Sequence, residues 1–288
     1  MIIDGKLLAD EILLHLTGAV TKLKTGGITP TLAVILVGDD PGSLAYIRQK
    51  QKAAEKIGAT VIFDHQPPTI TPEILKGLVD KYNADPGVHG VIIQRPVPTE
   101  LGDVSIILDS VAHQKDVDGF LPGSPFDVPV AAAVGETLRD VKCHVANITS
   151  EELTDDECIG WLQKQNIVIV GRGSTAGKPI ADYLANRHCA TSIIHSKTPD
   201  PDLMMKNADI IVSCVGRERV VTKDTIKPGV ILIGVGLWRD TTGKLRGDYD
   251  EGDIIDVASF YTPTPGGIGP INVACLMQNL IKACTLNL

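Results

Sequence analysis

Tyr46 and Lys50 stand four residues apart in AYIRQKQKAAEKIG (45–58). On a helix that spacing puts a phenol and an amine on one face, where both can address one point. The amine can serve as a base if its surroundings lower its proton affinity. The same spacing also suits a solvated face, because Arg48, Lys50, Lys52 and Lys56 crowd one short stretch. Two more groups sit where ligands collect in parallel α/β sheets. Gln94 ends the apolar run in IIQRPVP (92–98), and Asp118 lies in KDVDGF (115–120). Taken singly, they read as a strand-end amide and a loop-capping carboxylate.

A third set is IVIVGRGSTAGKP (167–179), which places Gly171, Gly173 and Gly177 between an apolar run and a helical pattern, with Arg172 and Ser174 in the same turn. Glycines there let backbone amides approach a diphosphate at a helix N-terminus. The spacing is GxGxxxG, one residue longer than the common GxGxxG. The next apolar run ends in HSKT (195–198), which has no carboxylate for a ribose 2′-hydroxyl. Ser196 and Lys197, with Arg172, could donate to a 2′-phosphate. This favours NADP, with NAD as the alternative.

The elements that must hold these groups alternate between short β-branched runs and helical patterns. TLAVILVG (31–38), ATVIFDH (59–65) and VHGVIIQ (88–94) read as strands separated by helices. A second series follows at QNIVIVG (165–171), ATSIIHS (190–196), ADIIVSCVG (208–216) and GVILIGVG (229–236). The order βαβα implies parallel sheets with right-handed crossovers. A Gly-, Pro- and Asp-rich join lies near 116–129, and 141–160 reads as a polar surface excursion. The last helix, from Pro270, follows YTPTPGGIGP and could return the chain to the first domain.

At 288 residues the chain suits one large or two medium domains, and 43% hydrophobic with only 4% aromatic content implies an aliphatic core. A net charge of −8 argues against a general nucleic-acid binder and gives no reason to expect a membrane surface as partner. No apolar run reaches transmembrane length. The six cysteines show no metal-ligand or CxxC spacing and no His pair suggests a metal, so thiols, a cytoplasmic setting and no metal are expected.

Together these stretches resemble the bifunctional methylenetetrahydrofolate dehydrogenase/methenyltetrahydrofolate cyclohydrolase family, nearly end to end. The resemblance rests on YIRQKQKAAEKIG, VHGVIIQRPVP, KDVDGF, GRGSTAGKP, HSKT and above all TPTPGGIGPINVACLMQN (262–279). It implies an N-terminal three-layer α/β folate-binding domain over 1–120, completed by 268–288, and a Rossmann-like NADP domain over 121–267. It implies oxidation of 5,10-methylenetetrahydrofolate with NADP and hydrolysis of the methenyl product to 10-formyltetrahydrofolate. Lys50 matches the family's catalytic lysine, and Gln94 its hydrogen-bonding partner. Tyr46 would stack on the folate, and Asp118 would accept from the pterin's amino-pyrimidine edge. Pro263, Gly266 and Gly267 would form a backbone wall beside the substrate. A homodimer is also implied.

The chain departs from the family pattern in places. PVAAAV (129–134) replaces a turn expected near the cofactor, Arg95 follows Gln94 where Leu is usual, Gly173 and Gly234 replace Ser and Asp, and Asn272 replaces Thr. Most of these changes fall on the cofactor side, so a cyclohydrolase with weak dehydrogenase activity is one alternative. A non-catalytic folate- or nucleotide-binding regulator is another, and the intact Lys50 argues against it. Short-chain dehydrogenases also use Tyr-x-x-x-Lys, but there the glycine loop comes first. Shikimate- or malic-type dehydrogenases would not explain PGGIGP beside KDVDGF.

Overall fold

The computed structural model describes residues 1–286. In chain order the elements are α1 (Gly5–Thr25), β1 (Thr31–Val37), α2 (Pro41–Ile57), β2 (Thr60–Gln66), α3 (Pro72–Ala84), β3 (Gly90–Ile93) and α4 (Ser105–Leu108). Then come α5 (Pro129–Ala146), α6 (Asp155–Leu162), β4 (Ile167–Val170), α7 (Gly177–Ala185), β5 (Thr191–Ile194), α8 (Pro201–Asn207) and β6 (Ile210–Ser213). The remainder is β7 (Ile231–Gly234), β8 (Leu237–Arg239), β9 (Leu245–Gly247), α9 (Glu251–Ile254), β10 (Phe260–Tyr261) and α10 (Ile268–Leu286).

The chain forms two compact α/β units. One, called the folate unit after the ligand the resemblance implies, comprises Asp10–Pro129 and the chain from Val273 on. Its parallel sheet has the order β2-β1-β3. Ala33, Ile35 and Val37 of β1 join a cluster with Leu75, Val79 and Tyr82 of α3. Side chains alternate along a strand, so Leu32, Val34 and Leu36 face the other way, and they too are fully buried. The sheet is therefore covered on both faces, as an unbroken aliphatic strand requires.

The other, called the dinucleotide unit after the cofactor expected there, comprises Met1–Ala9 and Val130–Asn272 around an all-parallel sheet ordered β10-β7-β6-β4-β5. The antiparallel hairpin β8-β9 is a separate two-stranded sheet. The first nine residues were expected with the N-terminal domain. They group with this unit because Ile3 N donates to Tyr261 O at 2.8 Å and Ile2 bridges Tyr261. Residues 121–129, expected in the cofactor domain, group with the folate unit, and 268–272 group with the dinucleotide unit.

Two stretches read as irregular are helical. PVAAAV is the first turn and a half of α5, whose Ala131, Ala133, Val134, Leu138 and Val141 are buried at helical spacing. The supposed excursion at 141–160 holds the end of α5 and all but the last two residues of α6. Thr154 accepts from Glu157 N while the Glu157 carboxylate accepts from Thr154 N, a reciprocal cap. Cys143, Leu153 and Cys158 turn inward from this polar stretch.

Candidate active site

α2 begins because Asp40 caps it, with Oδ2 accepting from Ser43 N at 2.6 Å and Pro41 in the first turn. It ends at Gly58, which adopts φ +81 and donates to Ala54 O and Glu55 O. Between them Ser43, Ile47, Lys50, Ala53, Ala54 and Ile57 form the buried stripe. Lys50 therefore occupies a position that would hold an apolar residue in an ordinary helix, and it is only 2% exposed.

Its head group is met by groups from the carboxyl end of the sheet. β1 and β3 pair in parallel with Ile35 opposite Ile93, and Gln94 N donates to Ile35 O at 2.8 Å. Gln94 thus leaves β3 beside the end of the strand from which α2 departs. Lys50 Nζ donates to Gln94 Oε1 at 2.9 Å, and Gln94 Nε2 donates to Arg95 O at 2.9 Å, which fixes the amide's orientation. The Tyr46 ring centroid lies 5.1 Å from Lys50 Nζ. Burial holds the amine's pKa below its ordinary value, and the nearby Asp118 charge offsets part of that fall. So Tyr46, Lys50, Gln94 and Asp118, spread over 73 positions (46 to 118), meet in one unit.

The loop carrying Asp118 is held from within. Asp116 is buried, its Oδ2 accepts from Leu121 N at 3.0 Å, and burial raises its pKa. Asn279 of α10 donates to Val117 O at 2.8 Å and Asp127 O at 2.9 Å, and Lys282 Nζ to Pro125 O at 2.7 Å. The returning helix therefore clamps the Asp118 loop. Asp116 and Asn279 escaped the sequence reading; the repeated Asp of KDVDGF was the only signal for the first. Arg95 lines a small depression with Asp116, Asp118 and Phe120, its guanidinium 4.7 Å from the Phe120 ring centroid.

In the dinucleotide unit, Gly171, Arg172, Gly173, Ser174 and Gly177 form the turn from β4 into α7. Gly171 has φ +104, and a side chain at Gly177 would stand 2.2 Å from Gly171 O, so both must be glycine. Gly173 has nothing within 4 Å of where a Cβ would lie. Among the described residues no side chain caps α7. Ser196 and Lys197 are exposed in the turn after β5, the strand next to β4, where Lys197 N donates to His195 Nδ1 at 3.1 Å. An open, amide-rich cradle with basic and hydroxyl groups on the adjacent strand end fits a phosphorylated dinucleotide. Pro263, Gly266 and Gly267 follow β10 in this unit, with Gly266 at φ +107. A cavity of about 580 Å³ elsewhere in the unit, between Glu218–Thr222 and the β8-β9 hairpin, holds none of the residues singled out from the sequence.

Fold and site together define a two-domain α/β enzyme with a buried amine in one unit and a dinucleotide cradle in the other. The chain matches the family models described as "Tetrahydrofolate dehydrogenase/cyclohydrolase, catalytic domain" over residues 3–118 and "NAD(P)-binding domain" of the same family over 151–288. It belongs to the tetrahydrofolate dehydrogenase/cyclohydrolase family. It is 38% identical over 283 residues to the bifunctional protein FolD of Geobacillus thermodenitrificans, covering 98% of this chain and 96% of that one. The crystal structure of the bifunctional FolD methylenetetrahydrofolate dehydrogenase/cyclohydrolase from Campylobacter jejuni superposes with a TM-score of 0.90 at 33% identity, over 100% of this chain and 99% of that one. The Trypanosoma brucei enzyme, solved with NADP cofactor and inhibitor, gives 0.87 at 28% identity, over 100% and 98%.

Proposed function

We propose that this chain oxidises 5,10-methylenetetrahydrofolate with NADP and hydrolyses the methenyl product to 10-formyltetrahydrofolate, using Lys50 as the base of the second step. The observation that carries the reading is the amine itself: buried, fixed on Gln94, and depressed in proton affinity. An ordinary lysine, with a pKa of about 10.4, is almost wholly protonated at neutral pH and cannot take a proton. Burial increases the neutral fraction, so Lys50 can remove a proton as water adds to the methenyl carbon. The carbon–N5 bond then breaks as the hydroxyl gives up its proton, N5 takes up a proton and the formyl group remains on N10. Gln94 aims the amine, Tyr46 stacks on the folate, and Asp118 accepts from the amino-pyrimidine edge. Pro263, Gly266 and Gly267 offer backbone to the substrate. Gly171, Arg172, Gly173, Ser174 and Gly177 hold the diphosphate of NADP, and Ser196 and Lys197 hold its 2′-phosphate. When bound, the nicotinamide supplies the hydride acceptor. The same reading takes the chain as a cytoplasmic homodimer, a state that sedimentation analysis checks.

The test is direct. Purified protein should speed the loss of near-ultraviolet absorbance of methenyltetrahydrofolate, and should reduce NADP faster than NAD with methylenetetrahydrofolate. Decay at the uncatalysed rate would reject the cyclohydrolase half, and no reduction of either dinucleotide the dehydrogenase half.

Arg95 supplies a further expectation. The methenyl substrate is a cation and the methylene substrate is not, so a guanidinium beside Asp118 should oppose the first alone. Arg95→Leu is expected to lower KM for the methenyl relative to the methylene substrate by about threefold, the size expected of a half-exposed charge. Equal change in both values would show that the guanidinium does not face the substrate.

A further inference from the structure

Asp248 is completely buried in the dinucleotide unit, and none of the chemistry above uses it. Its Oδ2 accepts from Ser213 Oγ at 2.6 Å and Val215 N at 2.9 Å; its Oδ1 accepts from Gly216 N at 2.7 Å and Arg217 N at 2.9 Å. Three consecutive amides and a hydroxyl converging on one carboxylate make an anion nest, the arrangement that elsewhere holds phosphate. Here the chain fills it with its own side chain. The Asp248 carbonyl also accepts from Val220 N at 2.8 Å, so the residue grips both ends of the segment that leaves β6.

The place of this segment gives the grip its meaning. β7, β6 and β4 are neighbours in the sheet, and ligands of such sheets gather at the carboxyl ends. Cys214 N donates to Val170 O at 2.7 Å, and a side chain at Gly171 would come within 2.9 Å of Cys214 O. The segment thus lies directly against the glycine turn. On its other side, a Cβ at Gly236, just past β7, would lie 2.2 Å from Asp248 Oδ2 and 2.4 Å from Gly216 N. The carboxylate is keyed between the exits of β6 and β7, and only glycine at 236 leaves room for it.

We infer that Asp248 is a positioning residue for the dinucleotide, fixing segment 214–217 as a wall of the cofactor site beside the glycine turn. With its amides turned onto Asp248, residues 215–217 offer the ligand carbonyls and side chains, and diphosphate recognition falls to the turn after β4. The inference rests on the dehydrogenase reading and adds a residue to it that never touches the ligand.

The experiment titrates NADP calorimetrically into wild type, Asp248→Asn and Gly236→Ala, and measures hydrolysis of methenyltetrahydrofolate on the same preparations. The amide keeps the shape of the carboxylate but turns a donor toward one of the donor pairs. The alanine reaches the same contact from β7. Both variants are expected to bind NADP about tenfold more weakly or worse, the scale of losing hydrogen bonds to a buried charge, with hydrolysis within about twofold of wild type. Unchanged NADP affinity in both, or hydrolysis falling in step with affinity, would overturn the positioning role. If either variant does not fold, Ser213→Ala decides, because it removes one donor and should weaken NADP about threefold; an unchanged affinity there overturns the inference as well. Failure of the wild type to bind NADP would instead sink the dehydrogenase reading.

Discussion

Lys50→Met should lower the rate of methenyltetrahydrofolate hydrolysis by about 10²–10⁴-fold, the usual worth of a positioned proton acceptor, while NADP binds as before. Methionine fills the same buried slot on α2 and cannot take a proton. A control separates loss of the base from loss of the fold. The folded-state pKa of Lys50 is depressed by burial, so between that value and the ordinary lysine value the unfolded chain binds more protons than the folded one. Stability of the wild type therefore rises with pH through that window, and below it the full cost of burying the ammonium remains. The variant has no such dependence. Its melting temperature relative to wild type should rise as pH falls from about 9 to 6. The same depression predicts that wild-type hydrolysis increases with pH and levels off below the range of a free lysine. A flat rate profile, or a melting difference that ignores pH, would remove Lys50 from the role of base.

How far this site can be read in the sequence depends on the kind of residue. The strands with unbroken aliphatic runs, β1, β4, β6 and β7, are plain because a doubly covered parallel strand needs apolar residues on both faces. α5 is hidden because PVAAAVGETL is built from small residues beside a proline-rich join, and its apolar stripe depends on alanines that score weakly. The burial of Lys50 is visible in principle. Ser43, Ile47, Lys50, Ala54 and Ile57 recur at steps of three and four, which puts the lysine on the stripe rather than opposite it. Its bond to Gln94 is not visible, since it depends on the parallel register of β1 and β3. Asp248 is the extreme case: no local pattern in LRGDYD hints that its carboxylate collects the amides of a segment more than thirty positions earlier.

Gly177→Ala should disable the dinucleotide cradle, and a comparison with Gly173→Ala shows why. A methyl at 177 would stand 2.2 Å from Gly171 O, 2.7 Å from Gly171 C and 3.1 Å from Arg172 Cα, all backbone atoms that cannot rotate away. The turn and the start of α7 must move apart, at a cost of about 1–3 kcal/mol in stability. The amides that converge on the diphosphate should lose their alignment, weakening NADP by at least about tenfold. Gly173 differs: a methyl there meets nothing within 4 Å, and its φ is not in the left-handed region. Gly173→Ala should leave the melting temperature unchanged. Gly173 stands where the family pattern has serine, so the methyl should also leave NADP affinity within about twofold of wild type. The two variants thus separate a glycine that the turn requires from one that it does not. A Gly177→Ala protein that binds NADP as tightly as wild type would mean that the turn is only a tight connection between β4 and α7, and that the dinucleotide is held elsewhere.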